Sequence, residues 1–189
     1  VNVVLDGEKH IIGSFAGDME EAHHVGCEFV RKLAHVKKIP CDIAVSTNGG
    51  FPLDQNIYQA VKGMTAAEAT NKEGGVIIMV AGCRDGHGGS GFYHNLADYN
   101  HPKEFLEKAI NTPRLETIPD QWTAQILARI LVHHRVIFVS DLVDPTLITD
   151  MHMEIAKTFD EALARAFEIE GPDAKVTVIR DGLSVIVED

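Results

Sequence analysis

Apolar residues recur along the chain in two different periods. Short apolar runs at residues 1–5, 11–15, 42–45, 75–81, 135–140 and 175–179 predict strands. The run at 75–81 is nearly continuous, which marks a strand buried on both faces. The first two runs flank Asp6-Gly7-Glu8-Lys9-His10 and read as a hairpin. Between the later runs, apolar residues fall three and four apart, the period of a helix with one buried side. Gly17-Asp18 opens such a helix to about Val36, with Ala22, Val25, Phe29, Val30 and Leu33 on one side. Two more cover 92–99 and 102–110. Another starts at Pro119-Asp120-Gln121-Trp122, with Asp120 as its cap and Ile126, Leu127, Ile130 and Leu131 apolar. Residues 146–151 are helical. Thr158-Phe159-Asp160-Glu161 is a capping box for a helix that Gly171-Pro172 ends after about Glu170. Residues 182–187 add a short edge piece. Strands alternating with helices predict an α/β fold, a largely parallel sheet with helices on both faces and an N-terminal β-hairpin. At 189 residues the chain is long enough for one well-buried domain over 1–189.

The alternation turns most sharply after Ile43-Ala44-Val45. Asn48, Gly49 and Gly50 break the strand pattern, and Pro52 bars a continuing central strand. Asp54 is then the expected N-cap of a helix of about two turns that Gly63 ends. On this helix Ile57, Ala60, Val61 and Met64 share one side, at i, i+3, i+4 and i+7. Tyr58 and Lys62 are adjacent on the other, with Gln55 and Gln59 beside them. Thr65-Ala66-Ala67-Glu68 reads as a second capping box, starting a short Ala-rich helix that ends near Gly74-Gly75. A phenol, an amide and an ammonium thus sit together just past a strand end, where open α/β folds bind ligands. The trio suits a small carboxylate or phosphate. The same pattern also describes a plain solvated helix face.

Charge and cysteine content narrow the classes. A net charge of −11 argues against a nucleic-acid partner and against an anionic membrane surface. No apolar stretch is long enough to span a membrane. Cys27, Cys41 and Cys83 are odd in number and lack zinc-type pairing, so they read as free buried thiols in a reducing cytoplasm. The chain begins with Val1 inside an apolar run, which fits a piece of a longer protein. His23 and Cys27 are four apart on a helix, but no second pair completes a metal site.

Gly86-His87-Gly88-Gly89-Ser90-Gly91 matches G-x-G-x-x-G. A dinucleotide fingerprint also needs an acidic residue at the end of the next strand, about 20 residues on. Here the next strand begins only at Arg135, after several helices, so the loop reads as structural or anion-holding. His87 is expected to stabilise it by a hydrogen bond. No G-x-S-x-G, H-E-x-x-H or C-x-x-C is present, and no nucleophile–base set is visible.

The stretch Asn48-Gly49-Gly50-Phe51-Pro52-Leu53-Asp54-Gln55-Asn56-Ile57-Tyr58-Gln59-Ala60-Val61-Lys62-Gly63-Met64 resembles the signature of the C-terminal domain of the nickel-pincer-dependent lactate racemase family. Gly74-Gly75-Val76-Ile77-Ile78 and Asp85-Gly86-His87-Gly88-Gly89 resemble its next strand and loop, and the similarity runs nearly end to end. The family's enzymes have two domains, and this chain resembles only the second. The resemblance implies an isomerase, a racemase or epimerase of 2-hydroxy acids such as lactate. It would work by hydride transfer to and from a nickel-pincer cofactor, pyridinium-3,5-bisthiocarboxylic acid mononucleotide nickel. In the family, the cofactor's lysine tether, its nickel-ligating histidine and two acid–base histidines belong to the N-terminal domain. No catalytic or metal-ligating residue is therefore expected here. What carries over is one wall of the cleft. Gln59 and Lys62 match cofactor-binding positions, and Tyr58, Gln59, Lys62 and Trp122 match substrate-binding ones. The N-terminal domain of the same chain is the implied partner. A non-catalytic module binding a small acid or another domain is the alternative.

Overall fold

Val76, Ile77, Ile78 and Met79 are all fully buried, although successive strand residues face opposite ways. Both faces of their sheet must therefore be covered. The computed structural model describes all 189 residues and separates two compact units, residues 38–183 and residues 1–37 with 184–189.

The smaller unit starts with β1 (Asn2–Leu5) and β2 (Ile11–Phe15), paired antiparallel. Asp6 closes their turn by accepting from the amides of Glu8 and His10, each at 2.9 Å. Asp18 caps α1 (Met19–Ala34) by accepting from the amides of Glu20 and Glu21. The helix stops at Ala34, short of the Val36 that the apolar period predicts, because His35–Lys37 form a further strand, β3. Its apolar stripe is split. Ala22 and Gly26 are buried beside the hairpin, but Val25 and Leu33 are exposed.

The larger unit runs β4 (Cys41–Thr47), α2 (Ile57–Thr70), β5 (Asn71–Val80), α3 (Ser90–Ala97), α4 (Pro102–Asn111), α5 (Gln121–His133), β6 (Arg135–Val139), α6 (Pro145–Asp150), β7 (Glu154–Ala156), α7 (Phe159–Glu170) and β8 (Val176–Ile179). Its five strands are parallel, in the order β7-β6-β5-β4-β8. The chain steps outward from β4 to β7, then α7 carries it back to β8. The two directions place helices on opposite faces. Ala44, Ile77, Met79 and Phe138 pack with α2, α3, α4 and α5. Ile43, Val45, Ile78 and Ile137 pack with Ala162 and Ala166 of α7. The direction reverses between β4 and β8, and the crevice beyond the strand ends there is where such folds place ligands. The last strand, β9 (Ile186–Glu188), pairs in parallel with β3 within the smaller unit. The α/β class, the parallel sheet covered on both faces and the opening hairpin are as the pattern predicts. The strand β7, only three residues long, was not legible.

The central helix departs from its expected limits. It continues to Thr70, so Gly63 does not end it and Thr65-Ala66-Ala67-Glu68 does not start another. Gly63 is there because the helix lies close to the strand it follows. Ser46 Oγ donates to the Gly63 carbonyl at 2.7 Å, and a Cβ on Gly63 would collide with Asn48 Oδ1. Asn56, not Asp54, is the cap, accepting from the Gln59 amide at 3.0 Å. Asp120 does not cap α5 either: its φ is 64° and its carboxylate makes no cap bond. The strand β5 starts at Asn71 rather than Gly75, since Asn71 Nδ2 donates to the Val76 carbonyl and ties the bulge at its start. Cys41 and Cys83 are buried and Cys27 is exposed, all three free, so the expectation of buried thiols fails at Cys27. Burial pushes the Cys83 thiol up to about 12, leaving it protonated and unreactive at neutral pH. Ile57, Ala60, Val61 and Met64 are fully buried, as the helical period demands.

Gly63→Ala is expected to cost about 1–3 kcal/mol, the range for overpacking a filled core. Urea unfolding should show a lower midpoint with an unchanged slope.

Candidate functional site

Two connections leave adjacent strands, 48–56 after β4 and 81–89 after β5, and their backbones join. The Cys83 amide donates to the Asp54 carbonyl and the Asp85 amide to the Gln55 carbonyl, both at 2.9 Å. In return, the Ile57 amide donates to the Gly86 carbonyl at 3.0 Å and the Tyr58 amide to the His87 carbonyl at 3.2 Å. The Asp54 carboxylate accepts from the Gly82 amide at 2.9 Å. From beneath, Asn48 Nδ2 donates to the Leu53 carbonyl at 2.8 Å and the Gln59 carbonyl at 2.6 Å. The first turn of α2, whose amides have no partner inside the helix, is thus held by the glycine loop.

Much of the glycine loop is spent on structure. The amides of Cys83, Asp85, Gly86 and Gly89 are bonded within the protein, the last to His87 Nδ1 at 3.0 Å. Gly88 has φ 85° and lies against Asn56, where a Cβ would collide with the amide group. The glycines let this loop lie against the cap of α2, the helix before it. His87 holds the loop, as expected, and stacks on Tyr93 with ring centroids 5.2 Å apart.

Above this clamp, α2 presents Tyr58, Gln59 and Lys62, each partly buried. Lys62 Nζ donates to Gln59 Oε1 at 2.8 Å and lies 5.7 Å from the Tyr58 ring centroid. The Tyr58 ring meets Trp122 edge-on at 5.9 Å and 89°, and Phe92 at 5.5 Å and 80°. Trp122 comes from the first turn of α5 and is 52% exposed. The structure therefore brings together all four residues singled out from the sequence. Gln55 is not among them; it lines a separate cavity of about 430 Å³ with Phe51, Arg84 and Leu142. Sequence reasoning missed Phe92, which backs the tyrosine, and the positioning amides Asn48 and Asn56. Only the breaking of the strand pattern at Asn48-Gly49-Gly50 hinted at them.

The electrostatics are lopsided. Lys62 makes no ion pair, in a chain of net charge −11. The Tyr58 hydroxyl and the Trp122 indole N–H make no hydrogen bond inside the protein. Two unspent aromatic donors and an ammonium with N–H bonds to spare therefore lie together. No group of three or more His, Cys, Asp or Glu side chains is placed to hold a metal ion.

The family model for the lactate racemase C-terminal domain matches residues 36–187. The chain belongs to this family. It is 78% identical over 188 residues to a lactate racemase of Lactiplantibacillus plantarum. It is 52% identical over 189 residues to one from Thermoanaerobacterium thermosaccharolyticum. All of this chain aligns in both cases, and it spans 44% of each relative's length. The solved lactate racemase apoprotein from T. thermosaccharolyticum superimposes with a TM-score of 0.92 over 100% of this chain and 45% of that one. A protein from Thermotoga maritima, 14% identical, matches with a TM-score of 0.58 over 89% of this chain and 42% of its own; it shares the fold alone.

The clamp yields a test. Gly88→Ala should strain a positive φ and push Asn56 off its cap, at about 1–3 kcal/mol. The melting temperature should fall, and hydrogen exchange at the Ile57 and Tyr58 amides should accelerate more than at β5 or β6.

Proposed function

We propose that this chain is the C-terminal domain of an enzyme that interconverts stereoisomers of a 2-hydroxy acid such as lactate, and that it forms one wall of the cofactor and substrate cleft. The observation that carries the reading is the Lys62 ammonium, without a carboxylate partner and gathered with the Tyr58 and Trp122 donors on the first turns of α2 and α5. Family membership and the lactate racemases it matches give the reaction class.

The cofactor the family implies is a nickel-pincer nucleotide, an anionic group with carboxylate-derived arms and a phosphate. The donor set fits such a group. Lys62 spends one of three N–H bonds on Gln59 Oε1 and keeps two for an anion, and the nearby aromatic donors are equally unspent. When bound, the cofactor supplies the centre that accepts and returns a hydride. Lys62 and Gln59 would hold it, and this domain would hold no metal of its own.

The chain's own residues bind and orient. Lys62 neutralises the substrate carboxylate or a cofactor charge. Gln59 fixes the ammonium by accepting its proton bond and offers its amide N–H₂ to an oxygen. Tyr58 and Trp122 form a perpendicular pair that limits where a planar acid or ring lies, and each adds a directed donor. Their apolar faces exclude water, which strengthens the charge pairing at Lys62. Proton exchange at the substrate hydroxyl falls to histidines of the N-terminal domain, so this chain alone gives no turnover. Binding and orientation are what a protein contributes when a cofactor does the chemistry.

Two variants of the full-length enzyme separate the roles. Lys62→Ala should leave stability within about 0.5 kcal/mol. It should cost on the order of 2–3 kcal/mol in binding or transition-state stabilisation, the scale of a hydrogen bond to a charged group. Met64→Asp should do the reverse, unfolding the domain by placing a charge in its packed face. Melting temperature, cofactor retention and racemisation rate measured on both decide it. A fully active Lys62→Ala enzyme would sink the cleft assignment, and racemisation by chain 1–189 with added cofactor would sink the division of labour.

A further inference from the structure

The smaller unit, residues 1–37 with 184–189, leaves much of its apolar surface open. Both of its sheets have only two strands, and a two-stranded sheet is marginal in water without something packed on it. The helix α1 covers the hairpin with Ala22 and Gly26, but Val25 and Leu33 are 58% and 59% exposed. Val3 and Ile11 on the hairpin are 51% and 65% exposed. Val4, Phe15, Val30 and Ile186 wall an apolar cavity of about 270 Å³. Open aliphatic side chains at this density mark a surface that something covers.

Two independent boundaries indicate what the cover is. The C-terminal-domain family model begins at residue 36, and the contacts divide the chain at Lys37. Residues 1–35 therefore fall outside the matched C-terminal domain by sequence and outside the larger unit by packing. The chain spans only 44% of relatives that it matches along its whole length. More than half of such a protein lies elsewhere, and the family's description as C-terminal puts it before residue 1.

We propose that the hairpin and the open side of α1 are a docking platform for the preceding part of the full-length protein, whose apolar side chains cover Val3, Ile11, Val25 and Leu33 and enter the cavity. A second copy of the chain is disfavoured as occupant. A segment joined directly to β1 acts at an effective concentration in the millimolar range, and a free copy does not. The proposal rests on the family assignment and is independent of what Lys62 binds.

Hydrogen exchange followed by mass spectrometry tests it, on the full-length protein and on chain 1–189 at equal micromolar concentration. Peptides from β1, β2 and α1 should exchange at least about tenfold more slowly in the full-length protein. Val25→Asp with Leu33→Asp should abolish that slowing, while peptides from β5 and β6 keep their rates and report that the larger unit is folded. The milder Val25→Ala with Leu33→Ala should lose part of the slowing. Equal rates in the two proteins would overturn the proposal. So would protection in chain 1–189 that grows with its concentration, which assigns the face to a second copy. Racemisation is not the readout, so failure of the cleft assignment leaves this result untouched, and the reverse also holds.

Discussion

The site depends on one set of backbone hydrogen bonds, those joining residues 82–87 to residues 54–58. A helix that starts at a strand end presents amides with no partner in its own first turn. Here a neighbouring connection supplies the carbonyls of Gly86 and His87 to Ile57 and Tyr58. It also takes up the carbonyls of Asp54 and Gln55. Each such bond is worth only about 0.5–1.5 kcal/mol net. Together they leave the helix one way to sit above β4 and β5, and so fix which of its side chains face outward.

Because the clamp is made from backbone, the outward side chains are free of structural duty. The Gln59 and Lys62 side chains hydrogen-bond each other and no other group of the protein. Other cations are held by carboxylates: Lys72 lies 2.7 Å from both Asp42 and Glu170, and Arg129 is paired with Glu68. In the reading proposed above, the half-buried Lys62 ammonium is left for an anion. Tyr58 is the exception, since its ring packs on Phe92 and its backbone amide belongs to the clamp.

The sequence disclosed what periodicity encodes. The strands β4, β5, β6 and β8, the buried face of α2 and the grouping of Tyr58, Gln59 and Lys62 all follow from spacing alone. It misled where a residue type serves two purposes. Gly63 looks like a helix end, yet it is the point where a helix touches a strand. Asp54 looks like a cap, yet its carboxylate reaches Gly82 in another loop. Thr65-Ala66-Ala67-Glu68 has the spacing of a capping box, but the Thr65 hydroxyl donates back to the Lys62 carbonyl within a continuing helix. Local chemistry was identical in each case, and a tertiary contact chose. Trp122 came from resemblance, since no spacing links residue 122 to residue 58. The exposure of Val25 and Leu33 was beyond pattern too, because a helical stripe does not say whether its cover lies in the same unit.

Asn48 shows how tightly the strand end and the helix are matched. It is fully buried, and its Nδ2 satisfies the Leu53 and Gln59 carbonyls at once. Its Oδ1 is left without a partner, against the bare Cα side of Gly63. A buried acceptor left unmade costs about 1–3 kcal/mol. Turning the amide over would be worse, since it would lose both bonds, set Oδ1 against two carbonyl oxygens and point N–H bonds at a carbon. An apolar residue of similar size would lose both of these bonds at the base of the clamp. The orphaned oxygen is thus the smallest loss available once the helix must pass this close, and the closeness itself requires glycine at 63. Residues 48, 59 and 63 form one constraint: the strand end holds a loop carbonyl and the carbonyl of the very residue whose side chain fixes Lys62.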